Sequence, residues 1–179
     1  MPHARIRAAM FLLGHIGLTV GLAEALRGRA AWLQALDPRW IAVGAMLPDL
    51  IDKPLGHWIL DWGNGRLWGH TLLFALVLWA AWGLTIRQTQ NPRGPVPILL
   101  AALAFGSTAH LLFDRMWELH ATLLWPAFGW EMPRGHFEPG DWVTALLTEP
   151  YVWVTEGAGA VALGWAWSRT RARKAAAPA

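Results

Sequence analysis

The sequence contains no cysteine and few charged residues, with Lys, Arg, Asp and Glu making up only 15% of its 179 residues. Without cysteine, a disulfide framework, a thiolate metal site and a thiol nucleophile are all excluded. A metal ion would therefore need nitrogen and oxygen ligands. The basic residues give a formal charge of +3 but do not cluster on a recognisable nucleic-acid-binding module, so we expect no nucleic-acid partner.

The sequence is rich in long apolar runs. Hydrophobic residues make up 55% of the chain, which also has 14 tryptophans. A helix needs about 20 apolar residues to cross the hydrocarbon core of a membrane. Four stretches approach this length: Ala8 to Leu26, Leu67 to Ile86, Val96 to Asp114 and Tyr151 to Ser168. The sequence therefore predicts an all-α, polytopic membrane helical bundle with about four transmembrane helices and a partly helical outer region.

The first of these stretches has no typical signal-peptide cleavage pattern, so we expect it to remain as a helix of the mature protein. Its Gly17 and Gly21 have the small-residue spacing that lets transmembrane helices pack closely.

Basic residues predict the orientation of these helices. Three segments carry basic but no acidic residues: the one before the first span, the one between the second and third, and the one after the fourth. They contain Arg5, Arg7, Arg87, Arg93, Arg169, Arg171, Arg173 and Lys174. Cytoplasmic loops are rich in Lys and Arg. We therefore expect both termini in the cytoplasm, a single membrane domain over residues 1–168 and a disordered basic tail over 169–179.

A few ionisable residues stand out in this apolar sequence. His110 and Asp114 lie one helical turn apart on one face. His70 begins the second span on the same predicted outer side, and Asp49 lies in the outer connection before it. Imidazole and carboxylate ligands suit zinc, manganese or iron. Because ionisable groups at membrane depth by default mark a functional site, this set predicts a metal centre.

His15 fits this level less well, since the predicted first span places it about ten residues, roughly 15 Å, below its outer end. Either that helix begins and ends earlier, or His15 is a supporting or packing residue. Each candidate also has a simpler interpretation, because membrane histidines often only hydrogen-bond between helices. Arg66 and Arg115 adjoin the candidate ligands, where they would either bind a substrate phosphate or carboxylate or anchor the chain at the interface.

The segments "LGHIGL", "GAMLPDLID", "GRLWGHTLLF", "AHLLFDRMW" and "LLWPAFGW" follow one another from His15 to Pro126. Their order resembles the motif series of the inner-membrane-associated metal-dependent hydrolase family, also described as LexA-binding. This resemblance implies a location in the bacterial inner membrane. The order is also similar to the metal-site pattern of zinc-dependent phospholipase C. The resemblance implies zinc as the first expectation and the following metal ligands: His15, Asp49, His70, His110 and Asp114. The chain departs from the family pattern at Lys53, where histidine is usual, and at Thr71, where serine is usual.

These observations together predict a membrane-bound metal-dependent hydrolase in which the metal activates water. We expect its substrate to be a phosphoester or ester of a lipid or lipid-linked molecule at the outer face, with membrane lipid as its surroundings. Asp52 is the candidate general base or bridging ligand, or alternatively a helix cap. Two non-enzymatic alternatives remain open: a haem-binding electron-transfer subunit and a structural subunit in which the cluster is a polar seam. No protein partner is predicted.

Overall fold

A computed structural model describes residues 10–89, 91–136, 138 and 140–176, and every regular element in these ranges is helical. The α-helices are α1 (Leu12–Leu26), α2 (Ala31–Ala35), α3 (Pro38–Pro54), α4 (Leu72–Gln88), α5 (Pro95–Phe113), α6 (His120–Leu123), α7 (Gly140–Thr148) and α8 (Pro150–Ala176). A π-helical turn (Leu55–Ile59) and two 3₁₀ turns (Trp68–His70 and Met116–Glu118) complete the set. The predicted all-α class is confirmed.

Capping residues fix where the central helices begin. The Asp37 side chain accepts a hydrogen bond from the Arg39 amide at 2.8 Å, and Pro38 occupies the first position of α3. The Thr71 hydroxyl accepts from the Phe74 amide at 3.0 Å and starts α4. Helix α4 therefore begins directly after the 3₁₀ turn that carries His70.

The five longest helices pass back and forth through one bundle. Helices α1 and α8 run side by side in the same direction, because Glu156 near the start of α8 contacts Phe11 before α1, while Arg173 near the end of α8 pairs with Glu24 near the end of α1. Helix α3 returns alongside α5, and α4 and α5 pack together across a short turn. We call the end where α1 and α8 begin the acidic end, and the end where they finish the basic end.

The basic end carries most of the positive charge of the chain. The segments there contain nine basic residues, Arg27, Arg29, Arg39, Arg87, Arg93, Arg169, Arg171, Arg173 and Lys174, beside the two acids Glu24 and Asp37. The described residues of the acidic end contain four basic residues, Lys53, Arg66, Arg115 and Arg134, beside ten acids. Charge thus separates along the axis of the bundle.

Helix α3 is the main departure from the predicted architecture. The four-span prediction placed the segment between the first two spans, which contains Asp49, in an outer connection. Instead α3 continues through Pro48 to Pro54 and packs between α1 and α5, with Ile41 and Ala45 fully buried. Pro48 has no amide hydrogen, so the Gly44 carbonyl lacks its usual helical donor. The Ser107 hydroxyl of α5 donates to that carbonyl at 3.1 Å, which supplies the missing hydrogen bond.

Five passes leave the first and last described residues at opposite ends of the bundle. The prediction that both termini are cytoplasmic, and Arg5 and Arg7 on which it partly rests, concern residues outside the described ranges. Residues 169–176, for which we predicted a disordered tail, form the last turns of α8.

Helix α5 is the one helix among the described residues that is long and apolar enough to cross a membrane by length and composition. Helices α1 and α4 are apolar but have 15 and 17 residues. The prediction of four spans is therefore not confirmed.

Glycines allow the close approach of α1 and α8. A Cβ atom on Gly17 would overlap the Gly159 backbone, and one on Gly159 would overlap the Leu13 carbonyl. One turn further along, Gly21 faces Ala162. The close packing predicted from Gly17 and Gly21 is thus confirmed, with α8 as the partner.

We expect Gly159→Ala to lower the free energy of unfolding by about 1–3 kcal/mol, because the new methyl group must push α1 and α8 apart. Gly157→Ala is the matched control on the same helix, since a Cβ there meets open space. It should be neutral or stabilising by up to about 1 kcal/mol, because alanine favours helix over glycine. Thermal unfolding in detergent, followed by circular dichroism, measures both variants, and equal effects would contradict the close contact at Gly159.

Candidate metal centre

The structure brings all five predicted ligands together at the acidic end. They come from separate elements: His15 from the first turn of α1, Asp49 from α3, His70 from the 3₁₀ turn before α4, His110 from the last turn of α5, and Asp114 from the residue that follows α5. All five side chains are buried. Five residues spread over 100 positions of the sequence therefore lie in one cluster.

The ligand atoms have separations suited to a shared ion. His70 Nε2 lies 3.0 Å from His110 Nε2, and Asp49 Oδ1 lies 3.5 Å from the first and 3.9 Å from the second. Asp114 Oδ1 lies 3.7 Å from His15 Nε2. Ligands about 2.0–2.1 Å from a tetrahedral zinc ion are roughly 3.3 Å apart. Two overlapping sets, His15 with Asp49 and His110, and His70 with His110 and Asp114, each place their ligand atoms within 4.8 Å of one another.

His15 lies at the level of the other ligands rather than 15 Å below them. The predicted depth was wrong because α1 starts at the acidic end and runs away from it, opposite to the assumed direction. The His15 ring stacks on that of His110, with centroids 4.1 Å apart. Its Nδ1 atom is buried and has no hydrogen-bond partner in the described part of the chain.

The hydrogen bonds of His70 and His110 direct lone pairs into the cluster. His110 Nδ1 lies 2.6 Å from the Ala45 carbonyl oxygen, which can only accept, so Nδ1 carries the proton. His70 Nδ1 lies 2.7 Å from Asp52 Oδ2 and donates to it in the same way. In the neutral form both Nε2 atoms then present lone pairs to each other across 3.0 Å. A bound cation relieves this repulsion, and this tautomer is the one that metal-binding histidines adopt.

Each ligating carboxylate is held by a cation on one oxygen. Lys53 Nζ lies 2.6 Å from Asp49 Oδ2, and Arg66 Nε lies 2.6 Å from Asp114 Oδ2. The Oδ1 atoms face the histidines. Burial lowers the pKa of a guanidinium, but the Asp114 carboxylate raises the pKa of Arg66 above its usual value, so Arg66 remains charged. Sequence reasoning noted Lys53 only as a departure from the family pattern, although its i,i+4 spacing from Asp49 was a signal for this pair.

Asp52 holds His70 in place. Its carboxylate accepts hydrogen bonds from the backbone amides of Leu67, Gly69 and His70 at 2.7–3.0 Å, in addition to the His70 ring. The side chain is fully buried. With four donors around it, this carboxylate has little capacity left to bridge an ion or take a proton from water. This geometry favours a role for Asp52 in positioning His70, and the general-base role stays a prediction.

The two arginines that we predicted to bind substrate have different surroundings. Arg66 adjoins the cluster through Asp114, and its side chain is 21% exposed. Arg115 has a left-handed backbone conformation, pairs with Glu118 and lies over the Tyr151 ring. Arg66 is therefore the arginine placed to meet a molecule that approaches the cluster.

Sequence reasoning missed Glu156, which anchors the start of α1. Its carboxylate accepts from the amides of Phe11, Leu13 and Gly14 at 2.8–3.0 Å. The first amides of a helix have no partner within the helix, so a carboxylate there stabilises it. Glu156 thus fixes the turn that carries His15. An acidic residue inside an apolar span was the only signal for this role.

We expect Asp52→Asn to weaken metal affinity about 10–100-fold, because the amide cannot accept from all four donors and His70 loses its orientation. Competition with a chromophoric chelator measures the dissociation constant. Asp61→Asn is the matched control, since Asp61 is exposed at the same end and has a positive φ, which asparagine tolerates. Unchanged affinity combined with lost hydrolysis would instead make Asp52 a catalytic base.

Comparison with known proteins identifies a family but no characterised relative. A family model described as YdjM inner membrane protein matches residues 10–173. No curated protein and no solved structure matches the chain. The match covers the five candidate ligands and the long helices up to residue 173, and on this basis the chain belongs to the YdjM inner membrane protein family.

Proposed function

We propose that the protein is a membrane-bound metal-dependent hydrolase whose ion is held by His15, Asp49, His70, His110 and Asp114. The observation that carries this proposal is the pair of Nε2 atoms of His70 and His110, which face each other at 3.0 Å with both outer nitrogens already hydrogen-bonded. Asp49 and Asp114 bring carboxylate oxygens within 3.9 Å of this pair. Histidines that only hydrogen-bond between helices would not require these nitrogen and oxygen atoms to lie so close together.

The charge of the site also favours a cation. Three buried carboxylates, those of Asp49, Asp52 and Asp114, face two cationic side chains, those of Lys53 and Arg66. With neutral histidines, one negative charge remains uncompensated in a buried site, which is unfavourable. Imidazole and carboxylate donors suit zinc first, and manganese or iron as alternatives.

A divalent ion in such a site supplies Lewis acidity, which polarises the scissile bond and acidifies water. The protein residues orient the components. Asp52 fixes the His70 ring, Lys53 and Arg66 fix the two carboxylates, and the partly exposed Arg66 guanidinium can form hydrogen bonds to a phosphate or carboxylate oxygen of the substrate.

A phosphoester or ester of a lipid or lipid-linked molecule is the substrate class that we propose. The connections around the cluster expose large apolar side chains: Trp58 and Trp130 are 73% and 78% exposed, and Ile59 and Phe128 are also exposed. Such rings suit the headgroup layer of a membrane. A cluster at this level can meet a lipid headgroup without drawing it into the hydrocarbon core.

The charge separation along the bundle supports an orientation. The positive-inside rule assigns the basic end to the cytoplasm and the metal cluster to the outer face of the inner membrane. We propose that the chain enters α1 from the outer side and leaves α8 in the cytoplasm, in place of the earlier expectation that both termini are cytoplasmic.

The two non-enzymatic alternatives make different demands on the cluster. A haem held between these helices would need room for its porphyrin between the histidines. The Nε2 atoms of His70 and His110 are only 3.0 Å apart, and His15 stacks on His110. This arrangement favours a bare ion. A metal-free polar seam requires instead a doubly protonated His70 that donates from Nε2 to His110.

Labelling of single cysteines tests the orientation, because the natural chain contains none. Glu131→Cys places a thiol at the acidic end, and Arg93→Cys places one in the turn at the basic end, both at exposed positions. In spheroplasts, a membrane-impermeant maleimide should label the first variant directly and the second only after lysis. The reverse pattern would place the cluster in the cytoplasm.

Metal analysis of the protein purified in detergent tests the proposed function. We expect near-stoichiometric zinc, manganese or iron in the natural chain and at least tenfold less in His110→Ala and Asp114→Ala, because each loses a ligand. His136→Ala is the matched control, since that histidine is exposed beyond the cluster, and it should keep the metal.

A visible absorbance scan of the same samples separates the rival functions. No bound metal after reconstitution would leave the polar seam, and a haem band abolished by His110→Ala would leave the electron-transfer subunit. If the ion is present, hydrolysis of phosphoester and ester lipids can be screened, with loss in His110→Ala as the criterion for activity at this cluster.

A further inference from the structure

A cleft opens at the basic end of the bundle, far from the metal cluster. It has a volume of about 410 Å³ and lies between the end of α1, the start of α3 and the last turns of α8. Its inner wall is apolar and includes Val20, Ile41, Leu163 and Ala166. Volumes of this size are typical of small-molecule sites. We call this feature the basic cleft.

The rim of the basic cleft carries two cations that form no salt bridge with a carboxylate of the described residues. Glu24, which also lines the cleft, is occupied by Arg27 and Arg173. Asp37 caps α3 through the Arg39 amide. Among the residues that the structure describes, no carboxylate forms a salt bridge with the Arg39 guanidinium or the Lys174 ammonium, although both line the cleft. The rim therefore presents two free positive charges above an apolar wall.

The neighbouring surface has the character of a membrane interface. Trp167 lines the cleft and is 61% exposed, and the Arg171 guanidinium lies 5.0 Å from its ring centroid. Tryptophan and arginine in this arrangement are typical of the headgroup level of a bilayer. Membership of an inner membrane protein family favours lipid as the molecule that contacts such a surface.

We propose that the basic cleft binds an anionic phospholipid, with its phosphate between Arg39 and Lys174 and part of one acyl chain along the wall formed by Val20 and Leu163. Basic pockets between helices on the cytoplasmic side of a membrane bind anionic headgroups by this combination of charge and apolar surface. The chain of a lipid accounts for the apolar wall, which a free phosphate would leave uncovered. The proposal is independent of the metal cluster, which lies at the other end of the bundle.

Native mass spectrometry of the full chain in detergent tests this site. We expect dioleoyl phosphatidylglycerol to bind with a stoichiometry of one, and at least about tenfold more tightly than dioleoyl phosphatidylcholine, which has the same chains and no net charge. The double variant Arg39→Gln, Lys174→Gln should lose about tenfold in affinity for phosphatidylglycerol. Both side chains are exposed, so the variant should fold normally.

The matched control is the double variant Arg87→Gln, Arg93→Gln. It removes the same charge from the same end of the bundle but outside the cleft, and it should bind phosphatidylglycerol as the natural chain does. Equal loss in both double variants, or equal binding of the two lipids, would overturn the proposal. Displacement of the lipid by millimolar inorganic phosphate would assign the site to a free anion and would also overturn it.

Discussion

The contact between α3 and α5 is the constraint on which both the bundle and the candidate metal cluster depend. Gly44 and Gly106 bring the two backbones so close that a Cβ atom at either position would overlap the facing helix. At this distance two carbonyls of α3 become reachable from α5. The Gly44 carbonyl accepts from Ser107, and the Ala45 carbonyl accepts from His110. Packing, compensation for Pro48 and the tautomer of His110 therefore result from a single interface.

Fixed partners explain why burying so many ionisable groups is tolerable. Each has a fixed partner: Asp52 has the turn before α4, Asp49 has Lys53, and Asp114 has Arg66. A buried charge without such partners is costly at membrane depth. The histidine nitrogens that face inward are the exception, and this exception is what distinguishes a ligand cluster from a network that is already satisfied.

The sequence was sufficient to predict four of the five long helices and the residues that the structure brings together, but not the course of the chain. Apolar runs marked α1, α4, α5 and α8, and the ordered His and Asp motifs identified residues that the structure brings together. Helix α3 was missed as a full pass because Pro48 and the charged residues after it resemble the end of a helix. The Ser107 hydroxyl replaces the hydrogen bond that the Gly44 carbonyl loses to Pro48. This contact joins residues 63 positions apart, so the sequence around Pro48 does not predict it.

That omission had consequences for topology and for His15. With α3 counted as a connection, four passes return the chain to its starting side, and α1 acquires the wrong direction. The depth predicted for His15 was wrong because α1 was given the wrong direction. The choice of His15 as a candidate ligand was not affected by this error. Similarly, Asp52 looked like a free carboxylate in sequence because its four donors lie 15 to 18 positions further along the chain.

The anchoring of α1 by Glu156 has a consequence for biosynthesis. His15 is among the first described residues, yet the turn that carries it is tied down by a residue of the last helix, more than 140 positions later. During translation, the ligand shell of the cluster therefore stays incomplete until α8 has joined the bundle. A chain that lacks α8, because it is truncated or still being translated, has no Glu156 to hold the first turn of α1. His15 is then not fixed in position beside the other candidate ligands.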